Sequence, residues 1–365
     1  ITMQAAGTLP TGRNVGRMTA GARVLAVATA VPPYELGQSD VMRRIELALG
    51  PRSREIVRLL PMFGNTGIER RYSCVPIEWY ERLHEWPERN RVYLDSALDL
   101  LESATRQVLA RAGRQPEDID AVVAVSTTGI ATPSLDALLM ERMNLRRNVQ
   151  RLPIFGLGCA GGAIGLARAA AIARTKPDGL VLFLVVELCA LCFRRDDFSK
   201  SNIVATALFG DGAAAALISC EGDGASIVAG GEYTWPDSLD VMGWDVTREG
   251  FKAIFSRDIP ELVTTHLHDV TVDFLAEHSL RLADIDRFVC HPGGAKVLDA
   301  LETAFELEPG ALSTARNVLR DYGNMSAATV MFVLEQTIHD TTGWKRALVS
   351  ALGPGFTAGF TLLER

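Results

Sequence analysis

The chain has 365 residues, 48% of them hydrophobic, and a formal net charge of −7. That length and apolar content support a large core and a prior of two domains, while the acidic balance argues against nucleic acid or an anionic membrane surface as the main partner. The six cysteines, at positions 74, 159, 189, 192, 220 and 290, lack the dense spacing of a disulfide scaffold, which fits a reducing cytoplasm.

Residues 1 to about 20 are rich in Gly, Thr and Arg without periodicity and read as a flexible tail. Buried apolar strands are predicted over residues 122–127, 180–186 and 346–352, alternating with helical patterns, which indicates an α/β fold. The most apolar stretch, Gly179 to Phe193, is too short for a bilayer span and contains Glu187, so a buried strand running into a helix or loop is expected. Residues 117–125 and 283–290 echo each other, as do 209–218 and 352–361, suggesting two related halves. The break is expected in the polar, glycine-rich stretch Cys220 to Gly224, giving halves at 21–221 and 222–365.

Three turns carry candidate chemistry. Cys159 lies in Phe155-Gly156-Leu157-Gly158-Cys159-Ala160-Gly161-Gly162-Ala163, where a strand ends and a helix of small residues begins. A helix start offers unpaired N–H groups and the positive end of the macrodipole, which favour a thiolate. His291 follows an apolar strand in Val289-Cys290-His291-Pro292-Gly293-Gly294, and Asn324 sits in Tyr322-Gly323-Asn324-Met325-Ser326 before the helical pattern 327–334. Taken singly each has an ordinary structural reading, as a buried thiol, a hydrogen-bonding histidine and a turn asparagine.

These segments resemble the type III polyketide synthases, the chalcone synthase-like branch of the thiolase superfamily. The resemblance also includes Leu208-Phe209-Gly210-Asp211-Gly212 and Gly353-Pro354-Gly355-Phe356, and spans roughly residues 22 to 365. Gly156 to Gly162 and Trp86 to Tyr93 are most similar to the bacterial alkylresorcinol and alkylpyrone synthases. It implies a layered αβαβα thiolase-type fold of two pseudo-symmetric halves, with the reactive groups gathered where they meet. It also implies that Cys159 carries the growing acyl chain, that His291 keeps it as a thiolate, and that His291 and Asn324 hold the malonyl thioester oxygen. The substrates are then malonyl-CoA and an acyl-CoA or acyl-carrier protein, with no cofactor and no metal.

Phe209 matches the family's gatekeeper phenylalanine, and the position of a second gatekeeper falls at Ala253, which would widen the cavity. Thr127, Thr128, Cys189 and Cys192 match other cavity positions, as do Gly353, Pro354 and Gly355; small side chains beneath the nucleophile suggest a tunnel for a long alkyl starter. Arg58 is the expected CoA contact, while Arg70 and Arg71 read more readily as solvated surface cations. Thr132-Pro133 matches the place where family members send a loop across a twofold dimer axis, so the resemblance implies a homodimer. A single-condensation ketoacyl synthase working with a carrier protein and a catalytically silent acyl- or CoA-binding relative remain as alternatives. A thiolase is disfavoured because the turn at Gly353-Pro354-Gly355 lacks a cysteine.

Overall fold

The computed structural model describes residues 21–49, 60–197 and 199–365. The 1–20 tail and Arg58 therefore lie outside the described residues. The strands are β1 (Arg23–Ala30), β2 (Tyr34–Gly37), β3 (Arg70–Ser73), β4 (Ile119–Val125), β5 (Gln150–Ile154), β6 (Leu180–Leu188), β7 (Asp211–Ser219), β8 (Ala225–Thr234), β9 (Met242–Thr247), β10 (Gly250–Phe255), β11 (Arg287–Cys290), β12 (Arg346–Gly353) and β13 (Thr357–Glu364). The helices are α1 (Gln38–Leu49), α2 (Trp86–Ala112), α3 (Leu135–Arg142), α4 (Gly161–Thr175), α5 (Lys200–Leu208), α6 (Ile259–Glu277), α7 (Ala295–Ala304), α8 (Ser313–Tyr322) and α9 (Ala327–His339).

Nine of the described strands form one sheet in the order β11-β12-β13-β8-β1-β7-β6-β4-β5. From the β1/β8 junction the two arms repeat a pattern. β7 pairs antiparallel with β6, which pairs parallel with β4; β13 pairs antiparallel with β12, which pairs parallel with β11. The echoing segments of the sequence are thus β4 with β11 and β7 with β13, and the five-layered two-half fold is present. β6 is buried along its whole length, as its unbroken apolar run requires of a parallel strand covered on both faces.

Two helices lie between the arms. α4 packs on β4, β6 and β7 of one arm and on β8, β12 and β13 of the other, and α9 likewise touches both. The small residues of α4 permit this: a Cβ at Gly162 would stand 2.4 Å from the Ala327 carbonyl oxygen of α9. α2 covers the outer face of the first arm, and α6 covers the second, where Phe274 stacks on Phe360. α2 begins with a proline in its first turn, where the missing N–H has no intrahelical partner to lose, and ends at Gly113 in the left-handed region (φ 62°). The first turns of α4 and α9 therefore open at the centre of the molecule. No described helix is long and apolar enough to cross a membrane.

Candidate active site

Cys159 sits in a one-turn 3₁₀ segment, Gly158–Ala160, that leads directly into α4. His291 follows the last residue of β11, and its backbone N–H donates to the Ser350 carbonyl of β12 at 2.8 Å. Asn324 lies between α8 and α9, where Gly323 and Ser326 both take positive φ (69° and 47°) and reverse the chain. All three side chains are buried, and all three line one cavity of about 370 Å³. The three turns far apart in sequence therefore open onto a single space.

The Asn324 amide is oriented by its neighbours. Its Nδ2 donates to the Gly293 carbonyl at 3.1 Å, and its Oδ1 accepts from the Ser326 N–H at 2.8 Å. A carbonyl can only accept and an N–H can only donate, so the assignment is unambiguous, and one Nδ2 hydrogen stays available to a ligand. His291 has neither ring nitrogen hydrogen-bonded, and burial pulls its pKa down to about 3. A neutral imidazole with two uncommitted nitrogens can accept a proton at one and donate from the other.

Burial pushes the Cys159 thiol up to about 12, opposed by a hydrogen bond with Ser326 and reinforced by the nearby Glu187 carboxyl. Both shifts run against a resting thiolate held by His291. Both groups are buried and no hydrogen bond joins them, so the neutral pair is favoured at rest.

Other expected cavity residues take different places. Thr127 and Thr128 are committed to a buried network: Glu187 Oε2 accepts from the Thr127 N–H (3.0 Å) and the Thr128 hydroxyl (2.8 Å), while Thr127 Oγ1 accepts from the Gly158 N–H (3.2 Å). Burial raises the Glu187 carboxyl to about 8 despite those donors. The space shared by Thr128 and Cys192 is only about 10 Å³, walled by Trp86 and Phe251, so no open tunnel runs there. Phe209 and Cys189 instead line a second apolar cavity of about 70 Å³ beneath α1. Ala253 does not widen the site freely, because Trp244 stands directly opposite it across the β9/β10 ladder and edge-on to Phe209 at 6.1 Å. Gly353 and Pro354 press against the nucleophile's turn, and the Gly355 carbonyl accepts from Ser238.

Three contributors were missed from sequence. Lys296, in the first turn of α7, is the one lysine or arginine among the described residues lining the main cavity, and it has no ion-pair partner there. Its signal was its place five residues after His291. Ser326, two residues after Asn324 in its turn, and Glu187, the charge in an otherwise apolar run, are the other two. Among the described residues no three His, Cys, Asp or Glu side chains gather as a metal site.

The model for the N-terminal domain of chalcone and stilbene synthases matches residues 9–222, and the model for their C-terminal domain matches residues 227–364. The chain belongs to the chalcone and stilbene synthase family. These are the type III polyketide synthases, acyltransferases that catalyse Claisen condensations and use malonyl-CoA and acyl-CoA substrates. The chain is 41% identical over 357 residues to the 1,3,6,8-tetrahydroxynaphthalene synthase of Streptomyces peucetius subsp. caesius, covering 94% of this chain and 93% of that one. It is 29% identical over 358 residues to the 3,5-dihydroxyphenylacetyl-CoA synthase of Streptomyces toyocaensis, covering 94% and 90%. The crystal structure of the 1,3,6,8-tetrahydroxynaphthalene synthase from Streptomyces coelicolor A3(2) superposes with a TM-score of 0.90 at 28% identity, covering 94% of this chain and 99% of that one. The thiolase fold of this synthase family is therefore the fold of the chain.

Proposed function

We propose that this type III polyketide synthase loads a long-chain acyl starter on Cys159, extends it with two or three malonyl units and closes the chain to an alkylpyrone or alkylresorcinol. The observation that carries the reading is the convergence of Cys159, His291 and Asn324 on one cavity with largely apolar walls. In loading, neutral His291 takes the Sγ proton, the thiolate attacks the acyl thioester carbonyl, and CoA leaves as its thiolate, which regains the proton. In extension, malonyl-CoA loses CO₂ and leaves an enolate whose oxygen is held by His291 and the free Nδ2 hydrogen of Asn324. The enolate carbon attacks the acyl-cysteine, and Cys159 leaves as the thiolate. Two such donors in a buried, largely apolar site are worth far more than in solvent.

The second apolar cavity, behind Phe209 and Cys189, supports an alkyl tail, and Lys296 at the rim of the main cavity supports a phosphate-bearing carrier. A second reading draws on other observations. The narrow space at Thr128 and Cys192, the indole beside Ala253, and the likeness to tetrahydroxynaphthalene synthases favour a short starter and a fused aromatic product. Mass spectrometry of products from malonyl-CoA alone and with a panel of acyl-CoA starters, with Cys159→Ala as control, separates them. Cyclic tri- or tetraketides from palmitoyl-CoA support the first reading; a polyhydroxynaphthalene from malonyl-CoA alone, with palmitoyl-CoA inert, supports the second. Single-extension β-keto products requiring a carrier protein indicate a ketoacyl synthase, and no malonyl decarboxylation by folded protein indicates a silent relative.

The active form in this reading is a homodimer. Supporting it, β5 ends the sheet with no described strand beyond it, Ile130 and Phe155 are exposed beside it, and a recess of about 410 Å³ lined by Ala131, Thr132 and Phe155 opens there. Sedimentation velocity showing a monomer at micromolar concentration removes this part.

A further inference from the structure

Arg71 overturns its own sequence reading. It lies on β3 with 2% of its surface exposed, rather than among solvated cations. Its guanidinium donates to three backbone carbonyls at the end of α5: Thr206 (2.6 Å) and Phe209 (3.0 Å) from Nη1, and Ala207 (2.8 Å) from Nη2. The carbonyls of a helix's last turn lack intrahelical partners and carry its negative end, so a buried cation is well matched to them. No carboxylate stands within ion-pair distance of it among the described residues and its Nε is without a partner, so every hydrogen bond its side chain makes there holds backbone.

That backbone is joined to Asn324. The Asn324 N–H donates to the Leu208 carbonyl (2.8 Å) and the Gly210 N–H donates to the Asn324 carbonyl (3.0 Å), making Phe209 and Asn324 a one-residue parallel bridge. Arg71 also packs the glycines flanking it: a Cβ at Gly210 would meet the Arg71 Cβ at 3.2 Å, and one at Gly323 would meet it at 3.4 Å. From the other side, the Glu69 N–H donates to the Arg320 carbonyl in the helix that ends just before Gly323. β3 thus spans the end of α5 in one half and the Asn324 turn in the other.

We propose that Arg71 is a positioning residue for decarboxylation: by clamping the Thr206–Phe209 carbonyls it sets the Phe209–Asn324 bridge, and so the aim of the Asn324 amide at the developing enolate oxygen. The inference rests on the reading of Asn324 as an enolate donor. The three carbonyls demand a planar fork of donors, which lysine's single ammonium cannot reproduce. Cys159 stands on a different element, the 3₁₀ turn ahead of α4, and meets the Asn324 turn through its hydrogen bond with Ser326 rather than through the Phe209–Asn324 bridge, so its loading should depend far less on this clamp.

The test uses the full-length protein with Arg71→Lys, Asn324→Ala and the double variant, checked for folding by circular dichroism and thermal melting. Arg71→Lys is expected to lower kcat for malonyl-CoA decarboxylation by about 10- to 100-fold, in line with an angstrom-scale misplacement. The KM for malonyl-CoA and the rate of Cys159 acylation are expected to stay within about threefold, and in the Asn324→Ala background the added loss should shrink below about twofold. Equal losses in acylation and decarboxylation, or the same factor in both backgrounds, overturn the proposal in favour of a merely structural arginine. If Asn324→Ala alone decarboxylates normally, the donor reading itself has failed, which the single variant reveals separately. Should Arg71→Lys not fold, Gly323→Ala decides: its Cβ would stand 2.9 Å from the Leu208 carbonyl oxygen, disturbing the same bridge, and must produce the same split between decarboxylation and acylation.

Discussion

Phe209 and Asn324, 115 positions apart, are paired as a single parallel β-bridge, so a residue that lines the second cavity and the residue that offers an amide to the main one share one backbone contact. The bridge joins the first half of the chain to the second at the mouth of the reactive site. A change on either side is therefore felt on the other.

Asn324→Ala removes the free Nδ2 hydrogen while leaving the backbone bridge able to form. Decarboxylation of malonyl-CoA should fall by about 10²–10³, the usual loss for one such donor, with Cys159 alkylation by iodoacetamide changed less than about threefold. Parallel loss of both activities speaks against a donor role.

Gly353→Ala tests how the second half's glycine turn supports the nucleophile. A Cβ there would lie 2.5 Å from the Leu157 carbonyl oxygen and 2.8 Å from the Ala160 nitrogen, both backbone, so the turn around Cys159 has to shift. Overpacking of this kind costs about 1–3 kcal/mol. Thermal melting should show the destabilisation, and acyl loading of Cys159 should fall together with extension.

Glu187 makes stability fall as pH rises. Its folded pKa, about 8, lies above the unfolded value of 4.5, so between those values the native state holds the extra proton. Stability from this group is complete below pH 4.5 and lost through pH 8, by up to about 1.4 kcal/mol per unit. Glu187→Gln should flatten that decline in urea titrations at pH 5 and pH 8.5. Removing a negative charge near the thiol should also shift the pH profile of Cys159 alkylation downward.

Lys296→Glu should raise the KM for malonyl-CoA by about tenfold, equivalent to ~1.4 kcal/mol, by placing like charge beside the carrier phosphates. Malonyl-pantetheine, which lacks those phosphates, should show a KM changed less than about twofold. A similar rise for both substrates means that Lys296 acts on the cavity's shape.

The architecture was legible because its signals are local. Buried strands such as β6 read as continuous apolar runs, and the echoes that became β4 with β11 and β7 with β13 are short patterns of the same physics repeated. The turns bearing Cys159, His291 and Asn324 were legible because a chain that must reverse or start a helix at a reactive residue needs glycines and small residues around it. What they share, one cavity, is a matter of tertiary assembly.

The chain's own pattern of residues was enough to determine the two-half α/β fold and the family, and to single out Cys159, His291 and Asn324 as candidates. Tertiary structure alone decided their electrostatic state and surroundings: Cys159 and His291 buried, the Thr127 N–H and the Thr128 hydroxyl turned to Glu187, and Trp244 beside Ala253. It also decided the burial of Arg71 against carbonyls more than 130 positions away. A side chain's burial and charge depend on what the fold brings to it from distant segments, and no local spacing encodes that distance.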